Sequence, residues 1–460
     1  MINRRQFNKG LVGIAFGGLF THLKASALLL EGNGKGALPF DKAYGPLVSD
    51  PNGLLDLPEG FHYRVLSKLG DVMSDGLPVP DRADGMGCVP LDEERVVLVR
   101  NHEISLPKGN EHKQLPPENL SSSAYDSHAS GRPLAGGTSS IVYNVKTQQV
   151  DNQFMSLLGT VRNCAGGTTP WNSWLTCEES VDKASSIIGE DHGYVFEVPA
   201  SASGLVAPVP LKAMGRFNHE AACVDPRTGI VYLTEDRGDS LFYRFIPNVQ
   251  GQLDKGGKLQ ALAVLDAPKF DTRNWSSVTM ESDKAYGCYW IDLDNVTSPE
   301  DDLRARGYSD GAALFARGEG IQFDGDEMYF CCTSGGNKKL GQIMRYVPSP
   351  MEGKSGEQEQ PGELSLFLES PDKATFNFGD NLTIGQNGHL IVCEDQYSDL
   401  VDNHLKGVTP EGKTYDLGKV RLQTEPAGAC FSPDGKTLFV NLYSPTVTLA
   451  ITGPWDEFVA

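Results

Sequence analysis

Residues 220–236, EAACVDPRTGIVYLTED, read as one β-hairpin. Glu220 leads a short apolar run, an Asp-Pro-Arg-Thr-Gly stretch supplies the turn, and a second apolar run ends in Glu235 and Asp236. The plan returns five more times along the chain. Asn381, after Asp380, leads LTIGQNGHLIVCED (382–395), and Glu425 leads PAGACFSPDGKTLFVNLYS (426–444). Fainter copies follow Glu319 (GIQFDGDEMYFCCTS, 320–334), Cys164 (AGGTTPWNSWLTCEE, 165–179) and Asp84 (GMGCVPLDEERVVLVRNHE, 85–103). A hairpin recurring at irregular spacing predicts an all-β fold, a six-bladed β-propeller with surface insertions.

The rest of the chain fits around these copies. Residues 51–67 end in an alternating run that can close the ring by pairing with the last blade. Residues 104–135 are polar and read as a long surface insertion. Residues 298–317 are the best helical candidate, with Ser298 as cap and acids in the first turn. No linker divides the chain, so residues 28–460 are expected to form a single propeller domain.

In a propeller the leading residues start around one axis, and the ends of the second strands reach the same face. The first set is Glu220, Glu319, Asp380 and Glu425, with Asp84; the second is Glu103, Glu178 or Glu179, Glu235 or Asp236, and Glu394 or Asp395. Two unshielded carboxylates ~4 Å apart repel by about 4 kcal/mol at an effective dielectric near 20. So many acids on one axis therefore imply bound cations. Hard oxygens in this number suit Ca²⁺. Cys164 stands in the leading slot where most copies carry carboxylates, and a thiolate among carboxylates suits a transition metal such as iron. The candidate ligands are Cys164, Glu178, Glu179, Glu220, Glu319, Asp380, Glu394 and Glu103. Arg317, two residues before Glu319, belongs at the rim, either as a fork for an anionic oxygen or as a salt bridge to a neighbouring carboxylate. His102 and His219 read as orienting donors or as packed strand-end residues. GGTSS (136–140) reads as a Gly-rich turn. Walker, G-x-S-x-G, C-x-x-C and H-E-x-x-H motifs do not occur, which removes the usual nucleotide, serine-hydrolase and zinc-protease readings.

The start reads as an export signal. Arg4 and Arg5 precede a short apolar run, LVGIAFGGLF, and a small-residue site, Ala25-Ser26-Ala27. The pair points to the twin-arginine route, with its translocase as a transient partner and a periplasmic or secreted product. No later stretch approaches a membrane span, so no stable membrane anchor is expected. The net charge of −20 becomes −24 without residues 1–27, which carry four cations and no acid. Nucleic acid is therefore not an expected partner. A monomer is expected.

Several blocks carry a resemblance: RNHE (100–103), NCAGGTTPWNSWLTCEE (163–179), NHEAACVDPRTGIVYLTEDRGDSLFYRF (218–245), RGEG (317–320), DNLT (380–383) and CED (393–395). With the twin-arginine start, they make the chain similar to the PhoX-type alkaline phosphatases over almost its whole mature length. The resemblance implies a six-bladed propeller that hydrolyses small phosphomonoesters. It also implies two ferric ions (Fe³⁺) bridged by an oxo group that acts as nucleophile, and up to three Ca²⁺. Cys164 would then be the iron-bound thiolate. Glu178, Glu179, Glu220 and Glu319 would be cluster ligands with Asp380 and Glu394, and Arg317 would hold the phosphate. The chain looks shorter than many such enzymes, and a second phosphate-contacting basic residue does not stand out. A non-catalytic, calcium-stabilised propeller and a calcium-dependent lactonase-type hydrolase are the alternatives; neither needs the thiolate.

Overall fold

All six hairpins form. Their first strands are Ala83–Pro90, Asn163–Thr168, His219–Val224, Gly318–Asp324, Gly379–Ile384 and Pro426–Phe431, each antiparallel to the strand after its turn. The computed structural model describes residues 35–38, 42–282, 284–396 and 398–459. The export signal read at residues 1–27 lies outside them. The hairpins all belong to one compact unit, Ala37–Ala460.

The first strands touch their neighbours in chain order, and the sixth returns to the first. Each neighbouring pair of repeats buries an apolar layer. Val97 and Val99 meet Trp174 and Phe196 between the first two repeats. Met86 and Leu98 meet Phe439 and Ala450 where the ring closes. Burial of this kind contributes about 1.5–3 kcal/mol for each large apolar side chain. Closure is strengthened by an N-terminal strand, His62–Lys68, which pairs with Val447–Thr452 of the last repeat.

The strands do not divide into six separate blades. Hydrogen bonds join them into five sheets of six, three, nine, four and four strands. The nine-stranded sheet merges the third and fourth repeats. Ala285–Asp292, from the insertion between them, pairs with Gly257–Val264 on one side and Gly362–Glu369 on the other. The second repeat stops at Val195–Pro199, while the fifth gains Leu55–Pro58 and Leu47–Val48. The fold is thus all-β and propeller-like, a closed ring of six hairpins carried by five sheets. Two local expectations also change. The helix is only Leu303–Ser309; Ser298 Oγ instead accepts the Asp302 N–H at 3.0 Å in a turn before it. GGTSS is not a turn but part of the strand Gly136–Asn144.

Every first strand carries one extra residue near its start, a β-bulge. The registers shift between Ala83 and Met86, Asn163 and Gly166, His219 and Ala222, Gly318 and Ile321, Gly379 and Leu382, and Ala427 and Cys430. A bulge re-aims the side chains beside it. In five repeats the bulge holds Asp84, Cys164, Glu220, Glu319 and Asp380. Neighbouring bulges approach very closely. A Cβ on Gly85 would lie 2.5 Å from Ala165 Cα, and one on Gly320 would lie 2.7 Å from Asn381 Cα. Only glycine lets the backbones meet there, and the adjacent acids are drawn together as a result.

Candidate metal centre

The bulges deliver two donor groups to the axis. Ligand atoms of Cys164, Glu179 and Glu220 lie within 4.8 Å of one another, as do those of Glu220, Glu319 and Asp380. Glu220 belongs to both groups. Asp84 is buried among the same carboxylates, facing Asp380, Glu103, Glu220 and Asp395. The Cys164 sulfur lies 3.2 Å from the His219 carbonyl and 3.5 Å from that of Glu220. All nine cysteines are unpaired.

The second strands contribute through their alternation. In the first five repeats the residues directly opposite the start of the first strand are His102, Glu178, Glu235, Cys332 and Glu394. The next residue in each points to the other face, which gives Glu103, Glu179, Asp236, Thr333 and Asp395. This parity separates the paired acids. Glu178 turns into the body of the ring, where its carboxylate accepts bonds from Val161 N at 2.9 Å, Gly193 N at 2.8 Å and His192 Nδ1 at 2.6 Å. Glu394 likewise accepts from Asn377 N at 2.9 Å and His404 Nδ1 at 2.9 Å. Glu235 accepts Tyr243 O–H at 2.7 Å. Glu178 and Glu394, read from sequence as candidate ligands, are thus placed outside the cluster. Their neighbours Glu179 and Asp395 join it with Asp236. His102 and His219 brace the backbone, bonding the carbonyls of Asp81 and Gly215 at 3.0 Å each.

A third ring stands two residues before the leading positions. Arg82, Arg162 and Arg317 occupy it in the first, second and fourth repeats, at φ +55°, +50° and +55°, and Phe378 does so in the fifth at φ +54°. The left-handed conformation costs a non-glycine residue of order 1–3 kcal/mol; here it turns the chain into the bulge. In each of the four, the carbonyl accepts the N–H of the second-strand residue at the axis, as in Arg82 to Glu103 at 2.9 Å and Arg162 to Glu179 at 2.9 Å. Tyr443 N bonds Glu425 O in the same way at 3.1 Å. Glu425 therefore occupies the arginine slot, and the leading slot of the sixth repeat falls to Ala427. From Glu425, Asp395 and Asp84 are still within electrostatic reach.

Two of the arginines are locked onto acids of the cluster. Arg317 donates from Nε to Asp236 at 2.6 Å and from Nη2 to Asp236 at 3.0 Å and Glu319 at 3.2 Å. Of the two readings of Arg317, the salt bridge to neighbouring carboxylates is the one seen. Arg162 donates from Nε to Glu103 at 2.8 Å and from Nη2 to Glu179. Arg82 is exposed and makes no side-chain hydrogen bond or ion pair among the described residues. It lines a cavity of about 770 Å³ together with Glu103, Arg162, Asp395, Glu425 and Tyr443. Sequence reading singled out Arg317 alone. The signal for the others was present as R-x-[D/C/E], in RAD (82–84), RNC (162–164) and RGE (317–319).

The electrostatics require counter-charge. Burial first, and then the neighbouring carboxylates, push Asp84, Glu220 and Glu319 well above the usual carboxyl range. For Asp380 burial and Asp395 raise the value to about 7. Burial raises Glu179 to about 8 against the pull of Arg162. Burial and the adjacent acids also push the Cys164 thiol up. Carboxylates held this close bind protons unless cations replace them. The donor chemistry fits such cations: one group offers a thiolate with two carboxylates, the other three carboxylates.

The family model for alkaline phosphatase PhoX matches residues 42–139 and 128–446. The chain belongs to the alkaline phosphatase PhoX family. Among solved structures it is similar to Pseudomonas fluorescens PhoX in complex with vanadate, a transition state analogue. The two share 18% identity at a TM-score of 0.66, over 93% of this chain and 99% of that one. At that identity the likeness is one of fold. The chain is also similar to a gluconolactonase from Xanthomonas campestris, at 13% identity and a TM-score of 0.41, over 89% of this chain and 98% of that one. That likeness is too loose to carry an argument. No curated protein sequence matches the chain.

Proposed function

We propose that the chain releases inorganic phosphate from small phosphomonoesters at the axial acid cluster. The observation that carries this reading is the pair of buried donor groups that share Glu220, one of them containing the thiol of Cys164. Cys164, Glu179 and Glu220 would hold iron. Glu220, Glu319 and Asp380 would share it or hold Ca²⁺, with Asp84, Glu103, Asp236 and Asp395 completing the oxygen set. When bound, such cations polarise a phosphoryl oxygen and activate an oxygen nucleophile at neutral pH. The protein's own groups do the positioning. Arg162 and Arg317 fix the orientation of Glu103, Glu179, Asp236 and Glu319. A dianionic ester entering the cavity meets the guanidinium of Arg82, with no acid engaged, which would bind its oxygens; Arg317, outside that lining and paired with Asp236 and Glu319, would take a further oxygen at the rim of the cluster. The strong negative charge of the chain makes that local cationic rim necessary for an anionic substrate.

Export by the twin-arginine translocase to the periplasm or beyond, and a monomeric state, belong to the same reading. Among the described residues no helix is long and apolar enough to cross a membrane.

The test is elemental analysis and phosphomonoester turnover on one sample of the protein and of Cys164→Ser, purified without added metal. The parent should contain iron and calcium and turn over; the variant should lose iron and most activity while keeping its circular dichroism. Full iron and activity in Cys164→Ser would remove the thiolate from the centre. Calcium alone without turnover would favour a structural propeller.

A further inference from the structure

A second cavity opens beside the acid cluster, and its chemistry is different. It has a volume of about 740 Å³ and is walled by Leu77, Ile104, Leu115, Pro116, Met155 and Leu158. Its sides are the 69–81 segment and the 104–135 insertion, with Met155 and Leu158 contributed by the buried end of the strand Gln149–Thr160. Ser105 lines both this cleft and the acid-lined cavity. The chain crosses from one to the other at two more places: Asp81 lines the cleft and Arg82 the acid cavity, and Glu103 lines the acid cavity and Ile104 the cleft. A molecule with its charged end at Arg82 therefore has the apolar cleft next to it.

The charged groups of the cleft are already engaged. Asp81 accepts from Ser444 Oγ at 2.9 Å and Thr446 N at 2.9 Å. Glu111 accepts Lys108 N at 2.8 Å. Arg132 donates to the carbonyls of Pro116, at 3.1 Å, and Leu115. The last two bonds hold the Leu115–Pro116 wall in place. What remains for a ligand is mainly apolar surface, with Ser105 and Gln114 as the uncharged polar residues of the lining.

We propose that this cleft receives the alcohol portion of the ester, so that the chain selects phosphomonoesters of hydrophobic alcohols over those of small polar ones. The proposal rests on the phosphatase reading. It is tested with the metal-loaded protein and a series of primary alkyl phosphates: ethyl, butyl and hexyl. Their leaving alcohols differ little in basicity, so differences in kcat/KM report binding rather than leaving-group chemistry. Each methylene that enters the cleft should raise kcat/KM by up to about fourfold, chiefly through KM. In Leu77→Asn, on the partly exposed side, and Met155→Gln, on the buried side, the hexyl-to-ethyl ratio should fall at least severalfold, with the metal content of each variant reporting an intact cluster. A flat series, or a ratio unchanged in both variants, overturns the subsite alone. Failure to hydrolyse every member, ethyl phosphate included, overturns the phosphatase reading and the subsite with it.

Discussion

At the scale of single residues, position within the repeat decides what each charged group can do. Glu178 and Glu179 are neighbours with opposite roles, one spent on backbone amides and His192, the other beside Cys164 and Glu220. Their adjacency in sequence left both open, because the bulge decides which parity faces the axis and no single-strand pattern shows a bulge. Arg82 and Arg317 divide in a similar way. Arg317 is bound to two acids, so its removal disturbs the cluster as well as substrate. Arg82 stands apart from the acids, and Arg82→Ala should act on substrate alone. A charge-assisted hydrogen bond is worth about 1.5–3 kcal/mol, so KM for a phosphomonoester should rise roughly 10- to 100-fold with iron and calcium content unchanged. Arg82→Lys should recover part of the loss. An unchanged KM in Arg82→Ala would return the residue to the solvated rim.

At the scale of elements, a buried ion network ties the second repeat to the insertion before it. Glu178 and Asp126 both face His192, at 2.6 and 3.2 Å. Burial pulls the imidazolium down, but the Glu178 and Asp126 carboxylates outweigh it and raise His192 from 6.5 to about 10. A raised value in the folded state means the stabilisation is complete below pH 6.5 and is lost as the pH rises through about 10. Breaking such a buried pair costs about 3–5 kcal/mol. His192→Gln should therefore lower Tm sharply at pH 6, with the gap to the parent narrowing toward pH 10. A gap of constant size would mean that His192 is neutral and acts by packing. Nothing in the sequence announces this network: Asp126 lies in a polar insertion and His192 in a loop between two strands of the second repeat, and only the closed fold brings them together.

At the scale of the molecule, the ring was legible because each repeat carries its own hairpin, turn and leading residue. The division into sheets was not. Ala285–Asp292 has no counterpart in the other repeats, and its pairing with two repeats at once depends on where the ring places their outer edges. The same closure puts nine carboxylates and a thiol around one axis, a state that cations must stabilise. Stripped of metal, the protein should lose thermal stability, and more at pH 9 than at pH 5, since Asp380 and Glu179 ionise through about 7 and 8. Calorimetry of stripped and loaded samples reads that difference directly; equal losses at both pH values would mean that the acids do not repel one another.

The most direct measurement removes every metal with chelators, assays phosphomonoester turnover, and repeats the assay after iron and calcium are returned together. A metal-dependent phosphatase centre requires no turnover in the stripped protein and recovery on reloading, with protons released as the metals bind. Turnover that survives complete removal of metal, or protein that binds both metals and still hydrolyses no phosphomonoester, would contradict it.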